Sequence, residues 1–201
     1  MKQAAVGFRV HSGWTALVAV SLARGEPRAL ARERVHLVDT FTYEFRQPYH
    51  TAERMAADEA GAFVSRVESE AKSLATEALR HLRESLGRES YELTRCGLLM
   101  ASGRALPSLD KILASHALIH TADGELFRKA LLDASKGCGL AVMTVKEREL
   151  MAMASRTLRT KPEAIARRLT ELGKPFGAPW SQDEKFATLA AWLGLSKRKD
   201  S

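Results

Sequence analysis

Three runs rich in Val, Leu and Ala, at residues 4–10, 14–22 and about 28–39, are separated by the stretches HSG and ARGEP. Short apolar runs bounded by turn-forming residues predict strands, and connections this short predict a meander. The segment FTYEFRQPYH (41–50) puts aromatic residues at alternating positions and then Pro48. Proline cannot donate to a sheet ladder, so this segment reads as a connector or a short extension. From Thr51 to Gly87 the period changes: Met55, Ala60, Phe63, Val64, Val67, Ala71, Leu74, Ala75, Ala78, Leu79, Leu82 and Leu86 recur at threes and fours. That spacing predicts one long amphipathic helix laid against a sheet, with Gly61 as a point of bend or break.

The glycine-bounded run CGLLMASG (96–103) predicts a buried parallel strand over 96–102, and LAVMTV (140–145) predicts a fifth strand of the same kind. Between them, PSLDKILASHALIH reads as helical and partly buried. In TADGELFRKALLDASKGCG, Thr121 is the expected N-cap of a new helix, and Gly137 and Gly139 are its stop. Residues 147–159, 162–172 and 181–194 predict closing helices, broken by TKP and GKPFGAPW. A meander followed by right-handed β-α-β crossovers gives an α/β fold. Its mixed five-stranded sheet has three meander strands and two crossover strands, is covered by helices, and sets the strand at 96 beside the strand at 4.

At 201 residues, with 45% hydrophobic and 27% charged positions, the chain fits a single domain over 1–201, outside the disordered and membrane classes. Its most apolar early stretch, Trp14 to Leu22, is too short to cross a bilayer and lacks the flanks of a signal peptide, so a cytoplasmic location is expected. Cys96 and Cys138 stand far apart without a CxxC spacing, which argues against a disulfide framework and a zinc module. The net charge of +7 adds a field that attracts polyanions, making nucleic acid a candidate partner. Arg156, Arg159, Lys161, Arg167 and Arg168 crowd one stretch, and Lys197, Arg198 and Lys199 fall in a basic tail over about 196–201. A solvated surface with a basic bias would give the same composition.

The order of elements resembles the ribonuclease H-like superfamily, and within it the RuvC-type Holliday-junction resolvases. AVGFRVHSGWTALVAV (4–19) is similar to that family's first hairpin, in which a strand carries a catalytic Asp before a Gly/Ser turn. WSQDEKFATLAAWLGL (180–195) is similar to its closing helix, where an Asp precedes an alanine-rich face. The resemblance implies a metal-dependent nuclease, but the residues depart from it. Arg9 stands where the family places its first Asp. The fourth strand, LLMASGRALP, has no carboxylate between Cys96 and Asp110, and only Asp183 matches an expected acid. Two-metal cleavage needs several carboxylates holding two cations about 4 Å apart, so the usual metal chemistry is expected to be missing. An actin-like ATPase fits no better, because HSG lacks the acidic and glycine pattern those proteins use around phosphate.

The densest polar constellation is SHALIHTADGELFR (115–128), with His116, His120, Asp123, Glu125 and Arg128. On a continuous helix His116 and His120 share a face and can bind one metal or one anion. HExxH is absent, and spacing identifies no third ligand, so neither a metal site nor a cofactor is expected. The bland alternative puts one histidine in the core, has the other bond a carbonyl, and makes Glu125 and Arg128 a surface pair. The sharper expectation is a polar cleft at the carboxyl ends of the parallel strands, where open sheets bind ligands. His11, Ser12, His116, His120, Glu125 and Arg128 would line it, and a helix N-terminus at Thr121 would favour an anion. Ser12 beside His11 does not make a nucleophile and base, since adjacent strand residues point to opposite faces. Trp180 and Trp192 either stack on bases or anchor the closing helix. Met151 and Met153 read as helix packing, and the GRALP loop as a poor phosphate cradle.

Three classes of function remain. The leading one is a divergent ribonuclease H-like protein without two-metal nuclease activity, binding nucleic acid or a nucleoprotein through a basic face. The second is a metal-independent enzyme using the histidine-rich cleft, with Asp183 among its candidate residues, on an anionic substrate. The third is an interaction module that dimerises through the long helix at 51–87.

Overall fold

Alternation along the first strand sorts the whole molecule into two sides. In β1 (Lys2–His11), Ala4, Val6, Phe8 and Val10 enter one buried cluster, while Ala5 enters another on the opposite face. A computed structural model describes residues 1–39, 41–101 and 105–196 of the chain. β2 (Trp14–Ala23) and β3 (Glu26–His36) continue the meander antiparallel, and β4 (Tyr91–Met100) and β5 (Ala141–Lys146) add parallel strands on the other side of β1. The order β3-β2-β1-β4-β5 is the expected mixed five-stranded sheet, with Val6 opposite Cys96.

The helices are α1 (Pro48–Ala52), α2 (Ala57–Arg88), α3 (Leu109–Leu113), α4 (His116–Gly137), α5 (Leu150–Leu158), α6 (Pro162–Gly173) and α7 (Gln182–Ser196). α2 and α4 pack on each other and on the Phe8 side of the sheet, whereas α7 covers the Ala5 side beneath α5 and α6. Among the described residues, no helix is long and apolar enough to cross a membrane.

Several boundaries differ from expectation, each for a local reason. The helix expected over 51–87 is two: α1 ends before Glu53, and α2 begins at Ala57 and passes Gly61 without a break. A glycine inside a helix costs about 1 kcal/mol against alanine. Burial of Val64, Val67, Leu79, Leu82 and Leu86, each worth about 1.5–3 kcal/mol, outweighs it. That stripe faces the molecule's own core. The connector at 41–50 contains a 3-10 turn at Tyr43–Arg46 and the start of α1. β4 begins at Tyr91, because Tyr91 and Leu93 alternate inward with an exposed Glu92, a pattern that a search for an unbroken apolar run overlooks. β3 ends at His36, and Leu37 and Val38 are buried beyond it. The segment at 147–159 opens with a 3-10 turn, Glu147–Glu149, before α5.

The clearest correction concerns Thr121, which caps nothing. α4 runs unbroken through it from the N-cap residue Ser115, and the Thr121 hydroxyl donates to the Ala117 carbonyl one turn back. Gly103 and Arg104 of the GRALP loop, Ser102 at the expected end of the fourth strand, and Lys197, Arg198 and Lys199 of the tail lie outside the described residues.

Two glycines decide how closely α7 approaches the sheet. A Cβ at Gly7 would sit 1.8 Å from the Ala187 carbonyl oxygen, and one at Gly97 would sit 2.2 Å from that of Ala190. Backbone therefore rests on backbone at the centre of the sheet. With Ala187 over Gly7, one helical turn backward carries Asp183 toward Arg9 and His11, two and four residues along β1.

Candidate functional site

The carboxyl edge of the sheet carries two polar clusters, one on each side. The first is built on β1, β5 and α7. Ser181 accepts the Asp183 backbone N–H at 3.1 Å, and Glu184 accepts the Ser181 N–H at 2.7 Å and its hydroxyl at 2.6 Å. This reciprocal cap fixes the first turn of α7 and hence Asp183. Arg9 then donates to Asp183 through Nη1 and to Glu147 through Nε at 3.2 Å and Nη2 at 2.9 Å. His11 Nε2 donates to the same Asp183 carboxylate at 2.9 Å. The His11 ring stacks on Trp14 with centroids 4.3 Å apart, and the Arg34 guanidinium lies 3.7 Å from the Trp14 centroid.

Burial holds the His11 pKa below its usual 6.5, and the positive charges of Arg9, Arg34 and Arg128 push the same way while Glu147 opposes them. Glu147, just past β5, is a carboxylate that the sequence pattern did not single out. It follows an unremarkable strand, and only the sheet order brings it beside Arg9. The two carboxylates converge with a guanidinium bound between them. Two divalent cations would have to displace a permanently charged side chain from both acids, so these residues do not fit a two-metal centre.

The second cluster is built on α1 and α4. His116 and His120, one turn apart, bring their Nε2 atoms to 3.0 Å. His50, from the segment expected to be a connector, closes the group: its ring centroid lies 5.5 Å from that of His116 and 4.4 Å from that of His120. Spacing identifies no third histidine beside this pair, because sequence spacing cannot reveal a contact between separate elements. His50 Nδ1 donates to Asp123 at 2.5 Å, and the Tyr49 N–H donates to the other carboxylate oxygen at 2.8 Å. Asp123 is 2% exposed. Burial raises its pKa, while these two hydrogen bonds and the charges of His50 and His120 pull it back.

Between the clusters lies an open cleft of about 420 Å³ lined by Val10, His11, Ser12, Ala101, His120, Thr121, Gly124 and Arg128. His11, Ser12, His120 and Arg128 thus meet as expected. His116 joins through His120, and Glu125 acts from behind, accepting Arg128 Nη1 at 3.3 Å with both side chains largely buried. A Cβ on Gly124 would lie 2.7 Å from Arg128 Nη1, so the glycine leaves room for that arginine to fold back along α4. No bend between two helical pieces is needed, and no helix N-terminus follows His120.

The other candidates lie elsewhere. Arg156, Arg159, Lys161 and Arg167 are exposed, while Arg168 is half-buried and reaches Glu26 at 3.1 Å. Glu26 pairs with Ala23 at the end of β2, whereas His11 pairs with Trp14 at its start. Arg168 is therefore at the end of the sheet opposite the cleft. Trp180 donates its ring N–H to the Leu169 carbonyl at 2.9 Å and packs beneath Gly173, and Trp192 is 8% exposed. Both anchor the closing helices. Cys96 and Cys138 are free thiols, and burial pushes Cys96 up to about 12.

No protein-family model and no curated protein sequence matches the chain. Its fold matches RuvC from Thermus thermophilus in complex with a Holliday junction substrate, with a TM-score of 0.51 and 13% identity over 96% of this chain and 93% of that one. A second structure of Thermus thermophilus RuvC matches with a TM-score of 0.50 and 14% identity over the same shares. The fold is thus the ribonuclease H-like one that the order of elements suggested.

Proposed function

We propose that the protein binds nucleic acid at the carboxyl edge of its sheet, and that it does not perform two-metal phosphodiester cleavage there. The observation that carries this reading is Arg9, which satisfies Asp183 and Glu147 with a fixed positive charge. Around it, Arg34 and Arg128 supply further cations facing His11. Phosphate contacts of this kind provide most of the affinity of nucleic-acid binders. Phe41 and Tyr43 are 95% and 68% exposed, and they lie on the segment leading to Arg46, which packs beside Gly13 of the β1–β2 turn. Bases can stack on such rings at about 1–3 kcal/mol each. The structural match to RuvC, in complex with a junction substrate, supports a branched DNA as the first probe.

Fluorescence anisotropy of the full chain with a four-way DNA junction tests this across a salt series. Affinity should fall steeply with salt, and Arg34→Ala with Arg128→Ala should weaken binding and flatten that slope by roughly two phosphate contacts. If Arg159→Ala with Arg167→Ala has the larger effect, the interface is at the opposite end of the sheet. Magnesium- or manganese-dependent cleavage abolished by Asp183→Asn would overturn the catalytic half of the proposal.

A further inference from the structure

We propose that His50, His116 and His120 bind one divalent cation of the zinc class, oriented by Asp123, with a coordination position left open toward the cleft for an oxygen anion. One ring nitrogen from each histidine lies within 4.8 Å of the other two. Around a tetrahedral zinc with Zn–N bonds of about 2.0–2.1 Å, ligand nitrogens stand roughly 3.3 Å apart. The His116 and His120 Nε2 atoms are already 3.0 Å apart. Both side chains are exposed and one turn apart on the same helix, so small rotations bring them to coordination distance.

The partner of His50 is what distinguishes this group from three adjacent surface rings. Because Nδ1 donates to Asp123, Nε2 is the nitrogen left with a lone pair, and its ring lies against the other two. A carboxylate behind a ligating histidine fixes its tautomer, holds its orientation and raises its basicity. Asp123 is in turn held by the Tyr49 backbone N–H at 2.8 Å, on the same short helix as His50. The packing of Ile112, Ile119 and Ala122 against Tyr49 fastens that helix to α4. Three neutral nitrogens without thiolates suit zinc and its first-row neighbours rather than magnesium or calcium. The N-terminal end of α4 opposes a cation only weakly and only within its first turn.

Three protein ligands leave a fourth position, as in zinc sites that take water or substrate. His120 lies on the cleft wall with Arg128, so that position opens beside a cation and favours an oxygen anion such as phosphate. The metal ligands are not the residues assigned to phosphate contacts in the nucleic-acid proposal, whereas the open position shares Arg128 with it.

The full chain, stripped with a chelator, would be titrated with Zn²⁺ by calorimetry and with Co²⁺ by visible absorption. One ion per chain and the d–d bands of a tetrahedral Co²⁺ site are expected, and inorganic phosphate should shift those bands. His116→Ala and His120→Ala should each abolish the bands. Asp123→Asn should weaken binding roughly 10–100-fold, and His81→Ala, at an exposed histidine on α2, should change nothing. Because His116 and His120 are exposed, their variants should keep the wild-type circular dichroism. No uptake by the folded wild type, or uptake that survives the double variant His116→Ala, His120→Ala, would overturn the site. Bands indifferent to phosphate would overturn the open position.

Discussion

The two polar clusters on the carboxyl edge of the sheet solve opposite electrostatic problems. On the α7 side, two carboxylates meet one guanidinium and one imidazole, and each of the four groups is hydrogen-bonded to another of them. On the α4 side, three imidazoles meet one buried carboxylate, and lone pairs are left over. The first arrangement is closed and the second is open. Resemblance in fold draws attention to the first, yet its groups are bonded to one another, while the second leaves ring nitrogens with lone pairs beside the cleft. A shared architecture therefore says where ligands gather on a sheet, and the side chains say which of those places is occupied by the protein itself.

Three experiments break or sharpen this contrast. The largest effect is expected from Gly97→Val, which would drive a side chain into the Ala190 carbonyl and lift α7, with Asp183, off the sheet. A loss of roughly 3 kcal/mol or more, or roughly 6–12 °C in the melting temperature, is expected by differential scanning calorimetry. A change below about 2 °C would mean that α7 has room to shift and does not hold the first cluster rigidly.

A middle effect separates the clusters directly. Arg9→Ala leaves Asp183 and Glu147 facing each other without their cation. With Arg9 21% and Glu147 41% exposed, the loss in chemical denaturation should be about 1–3 kcal/mol, less than for a fully buried pair. His120→Ala, at an exposed ring, should cost under about 0.5 kcal/mol. Equal losses would erase the distinction between a closed and an open cluster.

The smallest effect is a titration. The His11 pKa is depressed in the folded state, so the unfolded chain takes up the proton first as the pH falls. Stability should accordingly be unaffected by His11 above its usual 6.5, decline as the pH drops from there to the folded midpoint, and level off below it. Proton NMR should place the His11 midpoint below 6.5, and Arg34→Ala should raise it. A midpoint above 6.5 would mean that Glu147 outweighs burial and the three arginines.

Much of the architecture was legible in the sequence because it rests on periodicity. Alternation along 4–10 and the threes and fours along 60–86 are direct readouts of which side of an element is wet. The failures share a cause. Tyr91–Arg95 pairs with β1 although it is partly polar, because a partner strand satisfies its backbone, and no local signal reports that partner. Thr121 resembles a cap by type but has a full turn of helix before it. The meeting of His11, Ser12, His120 and Arg128 around one cleft was legible from the placing of strand ends. Glu147 and His50 were not, since each acquires its role from a contact made across the fold. The one clue to His50 was its position next to Tyr49 and Pro48, at the end of a segment of alternating aromatic residues.

The contact of α7 with Gly7 and Gly97 also sets a timescale. Residues Ala187 to Gly194 are buried without interruption, so this stretch of α7 has no wet side and cannot peel away without opening the sheet contacts beneath it. Its amide protons should be among the slowest in the molecule to exchange, with openings near the free energy of global unfolding. His116 and His120, one turn apart on α4, carry exposed rings whose side chains should reorient on a far shorter clock. One edge of the same sheet thus joins a part that stays still to a part free to adjust around whatever it meets.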